Sequence, residues 1–263
     1  MTKYMKIIAI ITTLLMLFAF TASCGNKETT NLGTIEPGVL IMATSADFPP
    51  YEFWEGSEIV GIDAEIAAAI ADKLGLKLQI DDMDFDSILA AVVAGRADIG
   101  MAGMTVTDER LESVYFSVSY ATGVQVIIVK ENSPITSVDD LFEEGAHFNI
   151  GVQISTTGDL YSTWDLEDEG LATIHRYRRG TDAVQALIAE RVDCVIIDNE
   201  PAKAFVNANH GLKILETEFA VEDYAIAIRR GNSELKDAID EALSALIADG
   251  SVQRIIDKYI SAN

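Results

Sequence analysis

AVVAGRADIGMAG at residues 91–103 and ALIAERVDCVIID at residues 186–198 carry the same succession: a helix end, an Arg, an Asp two residues later, then a buried strand. Its occurrence twice points to two lobes of related topology, although one repeat of this length leaves open chance recurrence of a common helix, turn, strand unit. Around these stretches short apolar runs alternate with amphipathic helical patterns, the signature of an α/β fold with largely parallel sheets. Strands are expected at VLIMAT (39–44), LKLQI (76–80), DIGMA (98–102), VQVIIV (124–129), FNIGV (148–152), TIHRY (173–177), CVIID (194–198) and YAIAI (224–228). Ile62, Ile66, Ile70 and Leu74 recur every four residues as one helix face, with Asp63 placed to cap the N-terminus. Gly75 and Gly95 stand where helices should stop, and the segment from Ser233 to Ile260 reads as two helices broken at Gly250. Two related lobes meeting at a cleft make a natural ligand site.

The ends of the chain set its location. Lys3 and Lys6 precede an apolar run from Ile7 to Phe20 that closes on Thr21, Ala22 and Ser23, an export signal. Cys24, Gly25 and a polar stretch follow, so the segment resembles a bacterial lipoprotein signal whose cysteine is acylated, with Thr21 where that pattern usually has Leu. The other readings are an ordinary signal peptide or a transmembrane anchor. Residues 1–23 contain two basic residues and no acidic one, so their removal takes the formal charge from −23 to −25. So acidic a surface repels nucleic acid and anionic headgroups and gives a nucleic-acid function little support. With Cys24 acylated, Cys194 in DCVIID has no disulfide partner and reads as a small buried apolar residue. Residues 24–34 are expected to form a flexible tether.

Enzymatic signatures are sparse. The chain has no GxSxG elbow, phosphate-binding glycine loop, HExxH or paired cysteines. His147, His175 and His210 are scattered. Asp82, Asp84 and Asp86 alternate as in a calcium loop, but Ser87 stands where that loop needs Gly and Val93 where it needs Glu. Neither a metal nor a cofactor is called for.

TSADFPPYEF (44–53), GIDAEIAAAIADKLG (61–75), FDSILAAVVAGRADIGMAGMTVTDER (85–110), YFSVSY (115–120), GVQISTTGD (151–159), ERVDCVIIDNEPA (190–202) and ADGSVQRIIDKY (248–259), taken in this order, resemble the family 3 extracellular solute-binding proteins, the polar amino-acid receptors of ABC importers. The resemblance implies a two-lobed periplasmic-binding-protein fold of type II with the ligand between the lobes. Residues 35–123 and 223–263 would form the first lobe and 124–222 the second. A zwitterion needs a cation for its carboxylate, an anion and acceptors for its ammonium, and apolar walls against water. Arg110 matches the family's carboxylate-binding arginine, supported by the Thr105 hydroxyl and by backbone donors near Thr156 and Thr157. Asp198 matches the ammonium-binding Asp, with Ala102 and the Gly103 carbonyl beside it. Phe48 and Phe85 match the walls that sandwich the ligand. Members that hold basic side chains commonly have an Asp three residues before the first wall. This chain has Ser45 there and Asp47 adjacent to Phe48, while Gln153 and Ser155 suit a neutral polar side chain. Glu52, Asp98 and Asp193 read as scaffold. Taken singly, Arg110 could sit in a surface salt bridge, Asp198 could cap a helix and Phe48 could be core.

The expected function is therefore capture of a free polar or basic amino acid by lobe closure and delivery to an ABC permease, by an exported, lipid-anchored monomer that is not an enzyme. Two alternatives share the fold. A cyclohexadienyl dehydratase needs a general acid in the cleft, and no carboxyl is identifiable as one from sequence. A ligand-sensing module would have to signal through a separate partner.

Overall fold

The computed structural model describes residues 32–215 and 218–260. The expected signal segment, Cys24 and tether residues 24–31 lie outside the described residues. β1 (Val39–Thr44) leads into a small antiparallel sheet of β2 (Asp47–Phe48), β3 (Glu52–Glu55) and β4 (Glu58–Val60). There follow α1 (Ile62–Leu74), β5 (Lys77–Asp82), α2 (Phe85–Val93), β6 (Ile99–Gly100), α3 (Asp108–Ser113) and β7 (Val114–Phe116). The chain then enters β8 (Ala121–Lys130), β9 (Phe148–Gln153), α4 (Thr157–Ser162), β10 (Ala172–Tyr177), α5 (Gly180–Ile188), β11 (Cys194–Asp198), α6 (Asn199–Ala208), β12 (Leu212–Ile214) and β13 (Ala220–Tyr224). It ends with β14 (Ala227–Arg229), α7 (Ser233–Ala248) and α8 (Ser251–Tyr259).

The strands divide between two sheets, ordered β5-β1-β6-β14-β7 and β10-β9-β11-β8-β12, with β13 paired to β8. Each sheet with its helices is one α/β lobe. Within each lobe β1, β5 and β6, or β9, β10 and β11, pair in parallel. The sheets are more mixed than expected, because β14 runs antiparallel to β6 and β7, and β8 antiparallel to β11, β12 and β13. YAIAI does not form one strand. Its Tyr224 closes β13 in the second sheet and β14 opens at Ala227 in the first, so the run crosses between lobes.

Burial follows the apolar periodicity. Ile62, Ile66 and Ile70 are fully buried on a helix that packs against β5 and α7, each contributing about 2 kcal/mol by area. Gly75 ends α1 in the left-handed conformation. Asp63 is not the expected cap: Gly61 holds the N-cap position of α1, and the buried Asp63 carboxylate instead accepts the Gly103 N–H across the lobe at 2.9 Å. The fold begins earlier than Ile35, since Asn232 Nδ2 donates to the carbonyls of Leu32 and Gly33. The paired motifs behave alike. Asp98 accepts from the Ile41 N–H of β1 and Asp193 from the Asn149 N–H of β9, while their own N–H groups donate back to the same two residues.

Candidate ligand cleft

The carboxyl ends of β1, β6, β9 and β11 point at one narrow cavity between the lobes. Ser45, Asp47, Phe48, Phe85, Ala102, Gly103, Thr105, Arg110, Gln153, Thr156, Thr157 and Asp198 all line it, whereas Ser155, expected beside Gln153, lines a separate, more open pocket with Asp86, Leu89 and Asp159. Glu52, Gln125, Ile196 and Ile197 line it as well. Of these, Gln125 is the one polar residue inside the run VQVIIV, a signal open to reading in the sequence.

Arg110 begins on α3, whose N-cap Thr107 accepts the Arg110 N–H. The side chain is buried and lies over Phe85, 5.6 Å from the ring centroid. Its guanidinium donates to the Thr105 carbonyl at 2.7 Å and, across the cleft, to the Ser155 carbonyl at 2.9 Å. Ser155 turns that carbonyl inward with φ 64, a left-handed conformation held by its N–H bond to Asp159 and costly for a non-glycine residue. Burial pulls the Arg110 pKa down to about 10, against which the Glu222 charge is the leading opposing influence.

Asp198 faces it from the second lobe. It occupies the N-cap position of α6 but makes no capping bond. Oδ2 accepts from Gln125 Nε2 at 2.8 Å, while Oδ1 is buried without a partner. Burial, then the charge of Glu222, raises its pKa well above the ordinary carboxylate range. Glu222, which sequence reading passed over, accepts on Oε2 from the Thr105 and Thr157 hydroxyls, each at 2.9 Å. A hydroxyl has one proton, so towards the cavity both threonines offer lone pairs. Thr105, expected to support a carboxylate, has its hydroxyl proton already committed to Glu222.

The walls differ in depth. Phe48 is buried beside Gly103 and packs on Tyr51 at 5.8 Å, whereas Phe85 is half-buried. Ser45 donates to Asp47 Oδ1, leaving Asp47 Oδ2 buried and unpartnered, and burial raises the Asp47 pKa. Glu52, read as scaffold, also reaches the cavity. It is fully buried, and its pKa is driven well up by burial and then by Asp63, itself raised to about 6 by burial. Asp82, Asp84 and Asp86 do not converge: Asp82 holds Ala46 N–H and the Trp54 indole, and Asp84 pairs with Arg178 of the second lobe. Among the described residues no group of His, Cys, Asp and Glu could hold a metal ion.

Two lobes hinged by crossing strands, with a buried cation and a buried carboxylate facing one cavity, define a protein built to enclose a small dipolar solute. Residues 40–262 match the family of bacterial extracellular solute-binding proteins, family 3, and the chain belongs to it. It is 34% identical to the arginine-binding extracellular protein ArtP of Bacillus subtilis (strain 168) over 249 residues, covering 93% of each chain. It is similar to the crystal structure of the substrate-binding protein of an amino acid ABC transporter, with TM-score 0.78, 39% identity and coverage of 86% of this chain and 100% of that one. An ancestral arginine-binding protein bound to arginine gives TM-score 0.79 at 38% identity, over 85% and 99% of the two chains.

Proposed function

We propose that the protein is an exported, lipid-anchored receptor that closes its lobes on a free amino acid, preferably a basic one, and hands it to an ABC importer without transforming it. The observation that carries this reading is the pair formed by Arg110 and Asp198 on opposite lobes of one cavity. The guanidinium keeps N–H donors for a ligand carboxylate, and Asp198 Oδ1 is a buried acceptor for an ammonium. The Gly103 carbonyl, Ala102 and the lone pairs of Thr105 complete the ammonium side, and Thr156 and Thr157 support the carboxylate through their backbone. Phe48 and Phe85 exclude water. Ser45, Asp47, Glu52 and Gln153 are left for the side chain, and the unpartnered Asp47 Oδ2 favours a cationic one. The names of ArtP and of the ancestral arginine-binding protein agree with this. The lobes divide within the paired strands β8 and β13, near residues 123 and 223.

A thermal-shift screen of the common amino acids is the test, because a ligand that binds only the folded state must raise the melting temperature. Arginine, lysine or histidine should give the largest rise; no rise with any amino acid overturns the reading. The anchor is tested by Cys24→Ser, which should move the protein from the membrane fraction to the soluble one. The dehydratase alternative gains one observation that sequence did not offer, since Glu52 is a buried carboxyl lining the cavity, its pKa pushed well up by burial. Turnover of a cyclic hydroxy acid, lost in Glu52→Gln, would establish it.

A further inference from the structure

We propose that Glu222 is a positioning residue for lobe closure: its carboxylate, carried on the strand that crosses between lobes, ties a hydroxyl of each lobe to one oxygen and favours the closed arrangement before a ligand is bound. Glu222 and Tyr224 turn to the buried face of β13, while Val221 and Asp223 turn outward. Opposite Glu222 in the register is Gly123, on the other crossing strand. Thr105 comes from the segment after β6 in the first lobe, and Thr157 starts α4 in the second. Both donate to Oε2, and Gln125 Nε2 adds a third bond at 3.2 Å. Glu222 is only 5% exposed; its Oε1 makes no hydrogen bond of ordinary geometry, although the Tyr161 hydroxyl of α4 interacts with the carboxylate.

A buried carboxylate incompletely satisfied on one oxygen is costly unless its charge has another use. That use is Arg110, whose buried cation is favoured above all by the Glu222 charge and which reaches across the cleft to the Ser155 carbonyl. All these bonds join protein groups, so the lobes can form them with nothing held between. In the closed cleft Glu222 supplies the negative charge that a ligand carboxylate would otherwise bring to Arg110. Its loss should therefore weigh on the unliganded closed form more than on the liganded one. The proposal rests on reading the cleft as the ligand site, but its central measurement needs no ligand.

Spin labels on Val93→Cys and Trp164→Cys, exposed positions on the first and second lobes, would report the interlobe distance. A Cys24→Ser background leaves the buried Cys194 as the remaining thiol. In the ligand-free protein, Glu222→Gln should lower the closed-to-open ratio about tenfold, the scale of one lost hydrogen bond to a charged group. Thr105→Val should act in the same direction, and the double variant should open little further than either alone. Unchanged distances in Glu222→Gln with only a lower melting temperature would overturn the proposal, as would unchanged distances in Thr105→Val if Glu222→Gln does not fold. Saturating L-arginine should close wild type and Glu222→Gln alike. Failure to close wild type would count against arginine as the ligand, leaving Glu222 to be judged on the ligand-free distances.

Discussion

Arg110 is buried, yet among the described residues no carboxylate lies within ion-pair distance of it. Two carbonyls and a ring face hold the guanidinium, and burial already lowers its pKa to about 10. On the proposed reading a ligand carboxylate would give this cation the direct ion pair that the more distant Glu222 charge does not. Arg110→Ala should weaken amino-acid binding by about 2 to 5 kcal/mol while leaving the fold intact. Calorimetry on the purified variant checks it, and binding within about threefold of wild type would place the carboxylate elsewhere. Glu52 and Asp63 give a second prediction. Both have folded pKa values above their ordinary ones, Asp63 at about 6, so the folded state binds more protons than the unfolded. Their stability contribution is full below the ordinary carboxylate range and is lost as pH rises through the folded values. Wild type should therefore lose melting temperature from about pH 4 upward through pH 6. Glu52→Gln removes one of the two carboxyls and offers Asp63 an amide donor, so its melting temperature should fall less over the same range. Calorimetric scans from about pH 4 to pH 8 decide it; an equally steep fall in the variant refutes the coupling.

At the scale of elements, what the sequence disclosed depended on how far each signal was local. CVIID reads as a buried strand because every residue of β11 is covered, flanked by β9 and β8. The break at Gly250 was equally legible, since that glycine is left-handed between α7 and α8. The three short strands β2, β3 and β4 were not, because two to four residues carry too little alternation to recognise. Asp63 looked like a cap for want of its real partner, Gly103, which lies 40 residues away. Glu222 was invisible for the same reason: Thr105 and Thr157 are 117 and 65 residues distant. The crossing strands carry a prediction of their own. The Tyr224 ring covers Gly123 so closely that a Cβ there would overlap its hydroxyl end, and Tyr224 is fully buried. Gly123→Ala should destabilise by about 1 to 3 kcal/mol through overpacking. Denaturant melts would show it as a lower midpoint; an unchanged midpoint would mean that Tyr224 can move aside.

For the whole molecule, if the lobes close on a ligand as proposed, binding and closure are one equilibrium, and Asp198 stands where it would connect them. It stands on the second lobe with one buried oxygen unpartnered, facing Arg110 of the first. A ligand stabilises closure only by the difference in its affinity for the closed and open forms. On this reading Arg110 would hold a carboxylate alone in an open form, and the ammonium would reach Asp198 only when the lobes meet. Asp198→Asn keeps the size, removes the charge, and turns an NH2 towards a donor where an acceptor is needed. The variant should bind more weakly and, even at saturating L-arginine, retain a larger open population than wild type. The interlobe distance in the liganded state measures this separately from affinity. If Asp198→Asn closes as fully as wild type under saturation, the second lobe is drawn in by other contacts, and the ammonium does not bind at Asp198.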